Sequence, residues 1–308
     1  MLSVKKATKF AVANLIIVST VFSSITPAIA QSDKSSKDES FAVGNTKNPK
    51  NVIFLVGDGM GPSFNTAYRY YKNDPHAKEM TPTAFDSYLK GTNRTYSNDP
   101  KQNITDSAAG GTAFSSGHKT YNGAIGVDSN KQKVKTVLER AKEKGKSTGL
   151  VSTAELTDAT ADHSTGGLTI GKDKGYEWNP QPIKSMKHSG SYMTEKMAKG
   201  EDPEKVINEG YGFEFSQDDM KKVKKENKKL QKLLKKNKDE KSADVEKQTK
   251  ALQHAIQKPV NDKSYTGWTS DGHTGEDVNT YAYGPRSESF SGNIENTESA
   301  KIIFDIFK

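Results

Sequence analysis

The segment Asn51-Val52-Ile53-Phe54-Leu55-Val56 is a short continuous apolar run that ends in Gly57-Asp58-Gly59. Apolar residues at successive rather than alternate positions predict a strand buried on both faces. Such strands belong to parallel sheets covered by helices, so the run constrains the chain to an α/β architecture. Ligands of open α/β sheets gather at the carboxyl ends of strands, which makes Asp58 a candidate site residue. Taken alone, an aspartate between glycines reads better as a helix cap or an Asx turn.

Later segments repeat the helix and strand pattern. Val134 to Ala141 predicts a surface helix with Gly145 near its end, and Thr148 to Thr153 predicts the next strand. Ser107 to Ser116 is rich in small residues and predicts a tightly packed helix, and Glu298 to Phe307 is helix-like. The expected fold is therefore α/β, with a mainly parallel central sheet flanked by helices. From Gln217 to Gln257 the composition shifts to Lys and Glu, with Met220, Val223, Leu230, Leu233 and Leu234, then Val245, Leu252 and Ile256, at helical spacings. Two amphipathic helices joined near Asn237-Lys238-Asp239 account for this. The lysines between 221 and 241 suit an anionic polymer such as teichoic acid or nucleic acid. A solvated helix face is the preferred reading, because Glu and Asp interleave and no aromatic stacking residues accompany the run.

Residues 1–30 combine a basic start, an apolar middle and the small-x-small sequence Ala28-Ile29-Ala30, the pattern of a secretory signal cut before Gln31. A retained anchor fits poorly, since Asn14, Ser19 and Ser23 interrupt a run already short for a bilayer. The chain carries a formal charge of +8, and losing Lys5, Lys6 and Lys9 with the signal leaves +5. Residues 31–50 read as a flexible arm and 51–308 as the folded domain, within 308 residues that suffice for a substantial core. Cysteine is absent, so an exported product would be held by its core and by metal rather than by disulfides. The expected location is secreted or at the cell surface, or periplasmic in a host with an outer membrane.

The chemistry centres on Asp106-Ser107-Ala108-Ala109. Ser107 stands where the small-residue helix begins, so backbone N–H groups and the positive helix end would face an anion. A serine hydroxyl is a weak nucleophile at neutral pH, and a neighbouring cation makes its alkoxide accessible. Asp162-His163 offers an oxygen and an imidazole ligand on adjacent residues, a pair suited to zinc. His273, between Gly272 and Thr274 in a glycine-rich stretch, reads as a loop residue presented to a site, although a lone histidine is more often structural.

In this order the motifs resemble those of the bacterial alkaline phosphatases. The matching stretches are Gly57-Asp58-Gly59-Met60-Gly61, Thr105-Asp106-Ser107-Ala108-Ala109, Gly117-His118-Lys119-Thr120-Tyr121-Asn122-Gly123-Ala124, Val151-Ser152-Thr153-Ala154-Glu155, Thr160-Ala161-Asp162-His163 and Gly272-His273-Thr274-Gly275. The resemblance implies two zinc ions, one magnesium ion and hydrolysis of phosphate monoesters through a phosphoserine. It implies Ser107 as nucleophile, with Asp106 helping to hold the phosphate. Asp58 would bridge the second zinc and the magnesium, and Asp162 and His163 would complete the second zinc site. His273 would bind the first zinc, Thr160 would touch magnesium, and Asp158 would orient magnesium-bound water. The expected partner is a phosphate monoester, with no nucleic acid and no retained membrane span, and the resemblance admits a homodimer.

The resemblance also shows a gap. Thr157-Asp158-Ala159-Thr160-Ala161-Asp162-His163 fuses the start of one family motif to the end of another. The arginine that clamps phosphate, the glutamate on magnesium, and an aspartate and a histidine of the first zinc site have no matching positions. The expectation is an incomplete fold and impaired hydrolysis. The rivals are a phosphodiesterase, phosphonate hydrolase or sulfatase of the same superfamily, and a catalytically weak relative that binds phosphate or an anionic polymer.

Overall fold

The computed structural model describes residues 47–152, 164–171, 175–236 and 242–308. The export signal, nearly all of the arm, the helix junction near Asn237-Lys238-Asp239, and Asp158, Thr160, Asp162 and His163 lie outside them. Residues 45–308 form one compact unit.

Nine helices stand among the described residues: α1 (Pro62–Lys72), α2 (Ser107–Ser116), α3 (Val137–Glu143), α4 (Gln181–Lys184), α5 (Gly190–Ala198), α6 (Pro203–Gly210), α7 (Gln217–Lys236), α8 (Ala243–Ser264) and α9 (Asn296–Ile306). The strands are β1 (Leu89–Arg94), β2 (Ser164–Thr165), β3 (Leu168–Ile170), β4 (Thr266–Trp268), β5 (His273–Thr274), β6 (Val278–Tyr281) and β7 (Gly292–Glu295). β1 is the middle strand of a three-stranded sheet, antiparallel to β6 and parallel to β7. Two antiparallel pairs, β2 with β5 and β3 with β4, stand apart from it.

Helix starts follow local chemistry. Asp106 caps α2, Thr136 and Glu139 form a reciprocal capping box on α3, and Asp202 caps α6 ahead of Pro203 at its first position. The expected helices at 107–116, 217–257 and 298–307 are present, the second as α7 and α8 and the last starting two residues earlier. α8 runs on to Ser264 with Pro259 inside it. Proline has no N–H for the carbonyl four residues back, so the helix is weakened there. The Tyr211 hydroxyl donates to the neighbouring Ile256 carbonyl at 2.9 Å.

The main hydrophobic core lies between helices rather than on a sheet. Met193 and Met197 of α5, Ile207 of α6, Val223 and Leu230 of α7, and Leu252 and Ile256 of α8 are fully buried together. Each such side chain contributes about 1.5–3 kcal/mol through burial. A smaller apolar layer joins α2 to α9 through Ala109, Ala113, Phe114, Ala300 and Ile303.

Both sequence-expected strands differ from expectation. Asn51–Val56 forms no ladder, with Ile53 95% and Leu55 80% exposed, so this run is not a strand buried on both faces. Residues 148–152 also lie outside any strand, with Leu150 and Val151 exposed, while Thr153 falls outside the described residues. An apolar run specifies that a segment seeks burial. A strand additionally needs neighbours for its N–H and C=O groups, and neither run has a ladder partner among the described residues.

Candidate active site

α2 is positioned by a web around Asp106. Its Oδ1 accepts from the Ala109 N–H at 2.8 Å and its Oδ2 from the Gly123 N–H at 2.5 Å. Its own N–H donates to Asn122 Oδ1 at 3.1 Å, and Asn122 Nδ2 donates to the carbonyls of Gln102 and Ile104. The turn before α2 is thus tied to the 117–124 loop. Ser107, half-buried, occupies the first position of the helix, beside the N–H groups that carry its positive end.

His273 is drawn to the same turn. Rather than lying in a loop, it opens β5, paired opposite Thr165 of β2. Its Nδ1 lies 2.8 Å from the Thr105 carbonyl, two residues before Ser107. A carbonyl only accepts, so Nδ1 carries the proton and a neutral ring holds its lone pair on Nε2, the form suited to binding a metal.

Gly57-Asp58-Gly59 docks on β2 from the other side. The Thr165 N–H donates to the Gly59 carbonyl at 3.1 Å. Gly59 has φ +62°, and a Cβ there would lie 2.4 Å from Thr165 Oγ1. A Cβ at Gly61 would lie 2.2 Å from Ser164 Oγ and 2.5 Å from Glu276 Oε2. Ser164, fully buried, donates to Glu276 Oε2 at 2.6 Å. The β2–β5 pair therefore links the Asp58 turn to His273, and His273 to the start of α2. Asp58 itself is exposed.

Asn122, Ser164 and Glu276 carry roles that the sequence reading left unassigned. Asn122 sits inside a motif matched to the family, and that position was its available signal. Glu276 follows His273-Thr274-Gly275 directly.

Of the expected metal ligands, Asp58 and His273 are described, and Asp158, Thr160, Asp162 and His163 are not. Among the described residues no three histidine, cysteine or carboxylate groups gather closely enough to hold a metal ion. The described residues alone therefore do not make a zinc or magnesium site.

All four arginines face carboxylates. Arg69 grips Asp86 through Nε and Nη2, with the shortest contact 2.7 Å. Arg94 meets Glu295 at 2.7 Å, Arg140 meets Glu143 at 3.6 Å, and Arg286 meets Asp305 at 2.7 Å. An apolar cavity of about 690 Å³ lies between residues 51–57 and the sheet, lined by Ile53, Leu55, Phe85, Phe114, Tyr281 and Ile303. Asp58, Ser107 and His273 do not line it.

Comparisons with known proteins identify the family. The sequence model of the alkaline phosphatase family matches residues 49–161 and 159–308, two stretches that meet around Thr160. Alkaline phosphatase 3 of Bacillus subtilis (strain 168) is 30% identical over 466 aligned positions, covering 97% of this chain and 96% of that protein. With 308 residues here, a long stretch of that relative has no counterpart. Alkaline phosphatase 4 of the same organism is 27% identical over 428 positions, covering 84% of this chain and 89% of that protein. The crystal structure of a cold-active alkaline phosphatase from the psychrophile Shewanella sp. superposes with a TM-score of 0.68 at 22% identity. That superposition covers 82% of this chain and 98% of the other, a likeness of α/β fold. Matched on both sides of the junction at Thr160, this chain belongs to the alkaline phosphatase family, enzymes that hydrolyse phosphate monoesters.

Proposed function

We propose that the chain hydrolyses phosphate monoesters through a phosphoserine on Ser107, at a rate well below that of its longer relatives. The observation that carries this reading is the placement of Ser107 at the first position of α2, in a turn held by Asp106 and tied to His273 through the Thr105 carbonyl. Ser107 Oγ attacks phosphorus and its proton passes to water. The ester P–O bond breaks and the leaving oxygen takes up a proton. Water then attacks the phosphoserine, releasing phosphate and restoring the hydroxyl. The positive end of α2 offsets the growing charge on the phosphoryl oxygens. Asp106 acts here by positioning, since both its oxygens accept backbone hydrogen bonds.

Zinc and magnesium enter through the family resemblance, with Asp58, Asp158, Thr160, Asp162, His163 and His273 as their holders, and would supply positive charge at the reacting oxygens. The reduced rate follows from the lost arginine clamp, because each arginine present already faces a carboxylate. Export fits the signal-like residues 1–30, and a homodimer remains part of the proposal.

The test is covalent trapping. The full chain is incubated with a phosphate monoester, quenched in acid and mapped by mass spectrometry. Phosphate should appear on Ser107 and disappear in Ser107→Ala. Phosphate on another residue, or labelling that survives the substitution, overturns the reading.

A further inference from the structure

α7 is amphipathic in an unusual way. Val223, Asn227 and Leu230 face the helical core. At 3.6 residues per turn, Lys221, Lys225, Lys228, Lys232 and Lys235 fall in one row on the opposite side of the helix. All five are exposed, and none makes an ion pair among the described residues.

The carboxylates near α7 are engaged elsewhere. Asp219 meets Lys222 at 3.8 Å, Glu226 meets Lys229 at 2.8 Å, and Glu204 of α6 meets Lys224 at 2.6 Å. Glu226 also accepts from Gln248 of α8 at 2.9 Å. Asp218 stands at the amino end, ahead of the row. The interleaved acids therefore leave the exposed row without ion pairs, with Glu226 also lying in the field of Lys225. Five positive charges follow one another over about 21 Å of helix.

From this geometry we infer that the outer face of α7 binds a linear polyol phosphate, a polymer of phosphodiester groups without bases. Charge complementarity to a regularly spaced polyanion carries the inference. Single-stranded nucleic acid is disfavoured because α7 contains no aromatic residue on which bases would stack. An anionic membrane would be held by charge alone, without the apolar insertion that anchors amphipathic helices, because the apolar side of α7 is spent on the protein core. The row lies outside the Ser107 site, so binding and hydrolysis are separately measurable.

Poly(glycerol phosphate) is the probe, and its affinity for the full chain is measured as salt is raised. Five contacts to a singly charged strand predict a log–log slope of about −3.5, or on the order of 100-fold weaker binding between 50 and 200 mM salt. Replacing Lys225, Lys228 and Lys232 together by Gln should reduce the slope to about −1.4. An equal charge change on α8, with Lys247, Lys250 and Lys258 replaced by Gln, should leave it in place. Far-UV circular dichroism checks that the helices persist, and the salt slope of the unsubstituted chain stands whether or not a variant folds. A slope shallower than −1, equal losses from the two triple variants, or tighter binding to an oligonucleotide or to anionic vesicles of phosphatidylglycerol overturns the inference.

Discussion

Asp106 shows how one side chain serves the fold and the site together. Its place before a run of small residues makes the helix start legible in the sequence. Its engagement with Gly123, seventeen residues away in the chain, is not legible, because nothing local announces a loop that returns to the helix end. Asp86 is a second residue whose value lies in a distant partner. The Arg69 guanidinium, and next the Thr83 N–H, hold its carboxyl well below the usual carboxylate range. An unfolded aspartate titrates near pH ~4, so the stabilisation is complete above that and is lost as pH falls toward the folded value. Asp86→Asn should therefore flatten the acid side of a plot of urea midpoint against pH, below about pH 4. An acid limb identical to that of the unsubstituted chain would show that Arg69 does not hold this carboxylate in solution.

At the scale of elements, periodicity was a good guide to helices and a poor one to strands. The repeat that runs through Val223, Leu230, Leu252 and Ile256 puts apolar residues on one side of α7 and α8, and those sides meet. A helix satisfies its own backbone, so its pattern survives whatever happens elsewhere in the chain. The run at Asn51–Val56 carries an equally clear apolar signal but depends on neighbouring strands that only the rest of the fold can supply. His273 was harder still, because a two-residue strand is too short to leave a period. Chemical denaturation separates these cases. Ile256→Ala should cost about 2–5 kcal/mol, since it empties a fully buried position. Ile53→Ala should stay within about 0.5 kcal/mol, as for an exposed side chain. A comparable loss at Ile53 would mean that the run is a buried strand after all.

For the whole molecule, the family and the gap at Thr160 were legible in six short motifs, while the geometry joining the segments was not, because contacts such as His273 Nδ1 with the Thr105 carbonyl link residues far apart in the chain. The start of α2, the Asp58 turn and His273 remain linked through β2 and β5. Among the described residues every arginine already faces a carboxylate, so none stands ready to meet the phosphoryl group. Loss of one preorganised electrostatic element typically lowers a rate by on the order of 10²- to 10³-fold. Turnover of a simple phosphate monoester should fall by at least that much relative to a longer relative assayed alongside, measured on a monodisperse sample free of contaminating phosphatase. Hydrolysis at the rate of that relative would show that groups absent from the arrangement at Ser107 rebuild the site.

The backbone at Asn51–Val56 belongs to no ladder or helix, and Ile53, Phe54, Leu55 and Val56 are exposed. Proteases bind their targets as extended strands, and most folded segments must open locally before they fit. This segment needs little opening. Nicking between residues 51 and 57 would separate the arm from the Asp58 turn while the helical layer around Leu252 stays folded. The working life of a chain met by proteases would then be set by cleavage at unladdered, exposed segments such as this one, well before its core is tested by heat.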